Sequence, residues 1–122
     1  MSIQISLREC GDIKILDLDG SSIMGGESES LSRYLRTLLA DGARKLLLNL
    51  SNLSKVDSSG VSVIVETYIS LQRQGGLLKL LSPGGQVLQV LTVYRLLDAI
   101  PSFEDETQAL ASFHSRVCSA TP

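Results

Sequence analysis

The sequence predicts an α/β fold, a single domain on a mixed β-sheet, and three observations carry that prediction. Residues 3 to 18 hold two apolar segments joined by Gly11-Asp12, the pattern of a hairpin. Beyond them, helical and strand periodicities alternate along the rest of the chain. Leu46 to Leu50 is a short, nearly continuous apolar run, as in a central strand covered on both faces. Alternation implies right-handed crossovers between parallel strands. Together with the hairpin this predicts a sheet of four to five strands with about four helices.

Ile3, Ile5 and Leu7 alternate with polar residues, and Ile13, Ile15, Leu16 and Leu18 form the second strand. Asp19 to Gly26 is a loop rich in Gly and Ser. Glu27 to Ala40 is predicted helical, with Glu27 and Glu29 at its positive end and Leu31, Tyr34, Leu35, Leu38 and Leu39 on one face. Asp41-Gly42 stops it. After the strand at Leu46 to Leu50, Ser51 to Ser54 is expected to make a polar turn with Leu53 tucked in. Val61 to Val65 is β-branched, and propensity by itself favours a strand. Yet Val61, Ile64, Val65, Tyr68 and Ile69 recur at helical spacing, and the segment runs on to Gln74, longer than most strands. It is therefore read as a helix, with Val63 off its apolar face.

Leu77 to Leu81 is a further strand, closed by Ser82-Pro83-Gly84-Gly85. Val87, Leu88, Leu91 and Thr92 indicate a short helix; the segment from Val87 to Leu97 reads as core, with a partner groove as the alternative. Pro101 confines the strand within Leu96 to Phe103 to a short piece at an edge. Glu104, Asp105 and Glu106 open a last helix with Ala109, Leu110 and Phe113 inward. The domain is expected to span residues 1–114, with 115–122 a frayed tail.

The chain has 122 residues, and 43% hydrophobic against 20% charged residues fits a folded domain of that length. Aromatics are 4%, so Leu, Ile and Val must fill the core. A net charge of −2 without a basic stripe argues against direct nucleic-acid binding. Cys10 and Cys118 lie near opposite ends without metal-ligand spacing and read as two isolated thiols in a reducing compartment. No signal peptide and no apolar stretch near membrane-spanning length is seen, so the expected location is the cytoplasm.

Asp57-Ser58-Ser59-Gly60, set between two apolar segments, admits three chemistries. Ser58 or Asp57 can cap the following helix while Gly60 permits close approach. A serine there can be a nucleophile, but that needs a base and an oxyanion site. Val56 stands where a hydrolase elbow has glycine, and the single histidine, His114, is near the tail, so no enzyme is expected and no catalytic or metal-binding residue is assigned. Gly25-Gly26 and Gly84-Gly85 read as turns, since no complete phosphate-loop motif surrounds them. Lastly, a serine at an exposed helix start is open to a kinase. A phosphate there gains from the helix dipole yet adds about −1.5 to −2 charges beside Asp57, so it alters binding more than folding.

The stretch from Leu46 to Ile100 resembles the STAS-domain family of bacterial anti-sigma factor antagonists. The likeness rests on Asn49-Leu50 in the apolar strand, Asp57-Ser58-Ser59-Gly60, Tyr68, Gly75-Gly76 and Val87 through Leu97, with Gln108 to Phe113 similar to the family's last helix. The resemblance implies helices packed mainly on one side of the sheet. It implies partner switching: the unphosphorylated protein binds an anti-sigma factor that is also a serine kinase, so regulating sigma-dependent transcription. Phosphorylation ends that binding and a serine phosphatase restores it. The implied phosphorylation site is Ser58, with Ser59 the second choice. Partner contact is implied for Asp57, Ser59 and Gly60, and for Gly20, Ser21 and Ser22 in the nearby loop. No cofactor is implied, since the kinase holds ATP and Mg²⁺; a monomer or weak dimer without membrane insertion is expected. One departure concerns the loop itself. Many members have Gly, a charged residue, an apolar residue and Asp there; this chain has Gly20-Ser21-Ser22-Ile23 with no Asp following, similar to a subgroup with a glycine-bearing loop. The alternative is a STAS adaptor subunit of a signalling scaffold or lipid-transport complex, outside sigma-factor control.

Overall fold

A computed structural model describes residues 4–20 and 26–113. Strand β1 (Gln4–Cys10) turns through Gly11-Asp12 into β2 (Ile13–Gly20), antiparallel, with Cys10 facing Ile13. Gly11 takes φ +64, the left-handed conformation that lets a two-residue turn follow the strands' twist. Then come α1 (Gly26–Ala40), β3 (Lys45–Leu53), α2 (Ser58–Arg73), β4 (Leu77–Leu81), α3 (Gly85–Val93), a 3₁₀ turn (Leu96–Asp98), β5 (Ser102–Phe103) and α4 (Glu106–Ser112).

The sheet order is β1-β2-β3-β4-β5, parallel from β2 onward. Each parallel step moves one strand in the same direction through a helix. Right-handed crossovers that never reverse direction put α1, α2 and α3 on one face. The period of two then sorts the side chains. Leu16, Leu18, Leu46, Leu48, Leu50, Leu78 and Leu80 are buried in one cluster with α1, α2 and α3. Ile13, Ile15, Leu47 and Leu81 form a second cluster with Ala109, Leu110 and Phe113 of the α4 segment. The continuous run at Leu46-Leu47-Leu48 is thus apolar because β3 is covered on both faces.

On the α4 face, the Lys79 ammonium donates to the Ser112 carbonyl and hydroxyl oxygens at 2.9 Å and lies 4.9 Å from the Phe113 ring centre. Burial lowers its pKa. Arg8 binds both oxygens of Asp17 and both of Glu106, tying α4 to the hairpin.

Several expectations are corrected. β3 does not turn at Ser51 but continues to Leu53, because β2 goes on pairing with it past an irregularity between Asp17 and Asp19. Val63 is buried, in one cluster with Leu31 and Leu35, since α1 packs against α2 and covers a second side of that helix. The last helix starts at Glu106, with Asp105 as its cap accepting from the Thr107 amide. Of the segment from Val87 to Leu97, Val87 and Leu91 are core, while Leu88, Val93 and Tyr94 are exposed. Cys10 is not an isolated thiol: it is disulfide-bonded, to a partner outside the described residues. It packs against the cluster that holds Phe113, so distance along the chain was no measure of distance in space. The inference from thiols to a reducing compartment falls with it. The tail expected at 115–122, the boundary at 114, and His114 lie outside the described residues.

Candidate functional site

Asp57-Ser58-Ser59-Gly60 forms the entry to α2. Asp57 is the N-cap, with extended backbone (φ −107, ψ −172). Its Oδ1 accepts from the Ser59 amide at 3.0 Å, the Gly60 amide at 3.1 Å and the Ser59 hydroxyl at 2.6 Å. These bonds, the Ser59 hydroxyl first, hold the carboxyl below its ordinary pKa. The cap is therefore Asp57, not Ser58. That leaves Ser58 as the first helical residue, exposed to solvent.

Ser59, one residue on, is half-buried and tied in. Besides Asp57, its hydroxyl meets that of Ser28 at 2.7 Å, and Ser28 is 4% exposed. A pair of serines thus couples the start of α1 to the start of α2. Gly60 is buried, with its amide on Asp57. Gly20 ends β2 beside Leu53, and its carbonyl accepts from the Ser54 amide at 3.3 Å. Ser21 and Ser22 lie outside the described residues.

The approach to the motif is held from α3. Gln86 Oε1 accepts from the Val56 amide at 2.9 Å, and its Nε2 donates to the Val56 carbonyl at 3.1 Å. Beside Ser58 runs an open groove of about 390 Å³, lined by Ser58, Val61, Ser62, Val65, Glu66 and Tyr94. Tyr94 is 52% exposed and Val93 77%, large apolar surface for a free surface to carry. A bigger hollow of about 470 Å³ lies against α1, lined by residues such as Arg33 and Tyr34, and contains none of the expected site residues.

Sequence reasoning missed Ser28 and Gln86, and it reached Tyr94 only within the segment from Val87 to Leu97, read as core with a partner groove as the alternative. Ser28 was legible in one respect: it sits on the apolar face at helical spacing from Leu31 and Leu35, where a polar residue calls for a partner. Gln86 follows a Gly-Gly turn and Tyr94 follows a leucine-rich helix, and neither carries a local mark of its role. Among the described residues, no cluster of His, Cys, Asp and Glu is placed to hold a metal ion, and no helix is long and apolar enough to cross a membrane. The site offers an accessible hydroxyl on a helix N-terminus, an adjoining apolar groove, and a fixed carboxylate.

A family model for the STAS domain matches residues 4–109. A Thermotoga neapolitana protein named as an anti-sigma factor antagonist homologue is 32% identical over 78 residues, covering 64% of this chain and 69% of its own. Among solved structures, an anti-sigma factor antagonist from Mycobacterium paratuberculosis superimposes with a TM-score of 0.83 at 18% identity, over 93% of this chain and 95% of the other. The Bacillus cell-fate determinant SpoIIAA in its phosphorylated form superimposes with a TM-score of 0.71 at 21% identity, over 89% and 99%.

Proposed function

The chain belongs to the STAS-domain family, and from that membership we propose that it is an anti-sigma factor antagonist whose hold on an anti-sigma serine kinase is controlled by phosphorylation of Ser58. The observation that carries this reading is the contrast within the motif. Ser58 is exposed at the head of α2 and borders the groove, whereas Ser59 is half-buried and hydrogen-bonded. The unphosphorylated chain binds the kinase through the motif and the groove, and the sigma factor is released. The kinase brings ATP and Mg²⁺ and transfers the phosphoryl group; the modified chain leaves, and a serine phosphatase resets it. The chain itself needs no turnover and no cofactor. This reading places it in the cytoplasm, where sigma factors act.

The energetics are adequate. Moving occupancy from about 99% to about 1% takes roughly 5.5 kcal/mol. A phosphate of about −1.5 to −2 charges, buried unpaired against a surface shaped for a neutral hydroxyl, supplies several kcal/mol of that. The fold tolerates the modification because the helix N-terminus favours an anion there.

The test is capture of partners from native extract on the purified chain, with and without ATP, and mapping of phosphate by mass spectrometry. A kinase-like ATPase that is retained without ATP, and with ATP phosphorylates Ser58 and lets go, is the expected result. Capture of a scaffold or transporter subunit with Ser58 unmodified favours the adaptor reading instead.

A further inference from the structure

A serine hydroxyl has one hydrogen and two lone pairs. Ser59 gives its hydrogen to Asp57 Oδ1, which as an ionised carboxylate can only accept. In the 2.7 Å contact between the Ser59 and Ser28 oxygens, the hydrogen therefore comes from Ser28. A carboxylate 2.6 Å from a serine hydroxyl is also the arrangement that activates a nucleophile. Ser59 therefore has a proton acceptor already in place, and on the kinase-switch reading it is nonetheless the unmodified serine of the pair.

To accept phosphate from a nucleoside triphosphate, a serine oxygen directs a lone pair at the γ-phosphorus. The new O–P bond forms as the bond to the departing diphosphate breaks, and the hydroxyl hydrogen passes to a base. Ser28 engages a lone pair of Ser59 from a site that is 4% exposed, on the side where α1 meets α2. Ser59 can turn towards a kinase only by giving up that bond and leaving the Ser28 hydroxyl buried without it, which is costly. We propose that Ser28 is a specificity-determining residue: its hydrogen bond holds Ser59 out of reaction and so confines phosphorylation to Ser58. This rests on the kinase-switch reading above.

The experiment uses the full chain as wild type, Ser28→Ala, Ser59→Ala and the double variant. Each is incubated with Mg²⁺-ATP and, in turn, with every histidine-kinase-like serine kinase encoded in the source genome, and fragmentation mass spectrometry assigns the phosphate. Wild type is expected to be labelled at Ser58. Ser28→Ala raises the share at Ser59 about tenfold, the weight of one hydrogen bond. In the double variant Ser58 is labelled at the rate seen in Ser59→Ala, because Ser28 acts through Ser59. Wild-type labelling at Ser58 with an unchanged partition in Ser28→Ala overturns the role of Ser28 and leaves the switch intact. So does a double variant slower than Ser59→Ala, which marks Ser28 as a support of the fold. No label on wild type with any of the kinases overturns the switch, and this inference with it.

Discussion

Gln86 holds Val56 as a neighbouring strand would: its side-chain amide both accepts from the Val56 amide and donates to the Val56 carbonyl. Val56 is 1% exposed and immediately precedes the Asp57 cap. A residue of α3 thus sets the position of the loop that presents Ser58. Gln86→Ala is expected to cost about 1–2 kcal/mol, the net weight of two neutral hydrogen bonds, in urea unfolding. It should also speed hydrogen exchange at the Val56 amide. Unchanged exchange there would show that the loop is held by other contacts.

Ser58 itself separates the proposed switch from the cap. Since Asp57 makes the cap, Ser58→Ala and Ser58→Asp should both keep wild-type stability within about 0.5 kcal/mol. Ser58→Ala should bind the kinase whether or not ATP is present, and Ser58→Asp should bind at least tenfold more weakly, as a charge placed in the contact requires. Equal affinity of both variants and wild type, measured by calorimetry, would sink the switch.

Two carboxylates shape the acid limb of stability. Asp17, bonded first to Arg8 and also to Asn49, and Asp57, bonded to Ser59 and Gly60, are both held below the ordinary value of 3.8. As pH falls, the unfolded chain therefore takes up these protons first. Their contribution is complete above 3.8 and is lost as pH falls through the lower folded values. Asp17→Asn should destabilise the protein near neutral pH, and that penalty should shrink as pH falls below 3.8. A penalty independent of pH, followed by circular dichroism across the range, would exclude this assignment.

Gly76 is required by contact rather than by its backbone angles. A Cβ there would sit 2.4 Å from the Arg44 carbonyl oxygen and 2.8 Å from Leu71 Cδ2. The Arg44 carbonyl is fixed, since it also accepts from the Leu77 amide at 2.8 Å. Gly76→Ala should cost about 1–3 kcal/mol, and a midpoint equal to wild type in thermal unfolding would refute the clash.

Tyr94 offers a contrast, since it is exposed and lines the groove beside Ser58. Tyr94→Ala should leave stability within about 0.5 kcal/mol of wild type and weaken kinase binding by about tenfold or more, as loss of an aromatic anchor does. Full affinity would move the partner's footprint off this groove.

Taken by itself, the sequence determined the elements and their order. Strand parity at Leu16, Leu18, Ile13 and Ile15, the helical recurrence from Val61 to Ile69, and Pro101 at an edge are properties of neighbouring residues, and local geometry reads them directly. It also placed the Asp57-Ser58-Ser59-Gly60 motif at the start of a helix. Only the tertiary structure decided where Val63 went, that Cys10 is bridged, and that Ser28 and Gln86 bond to the candidate site. Each of these depends on which elements come to lie against one another. Ser28 and Ser59 are 31 residues apart, as are no two positions within a single helical or strand period, and Gln86 is 30 from Val56. Their pairing follows from the packing of α1 on α2 and from α3 reaching the loop that precedes α2, and packing is a property of the whole folded chain.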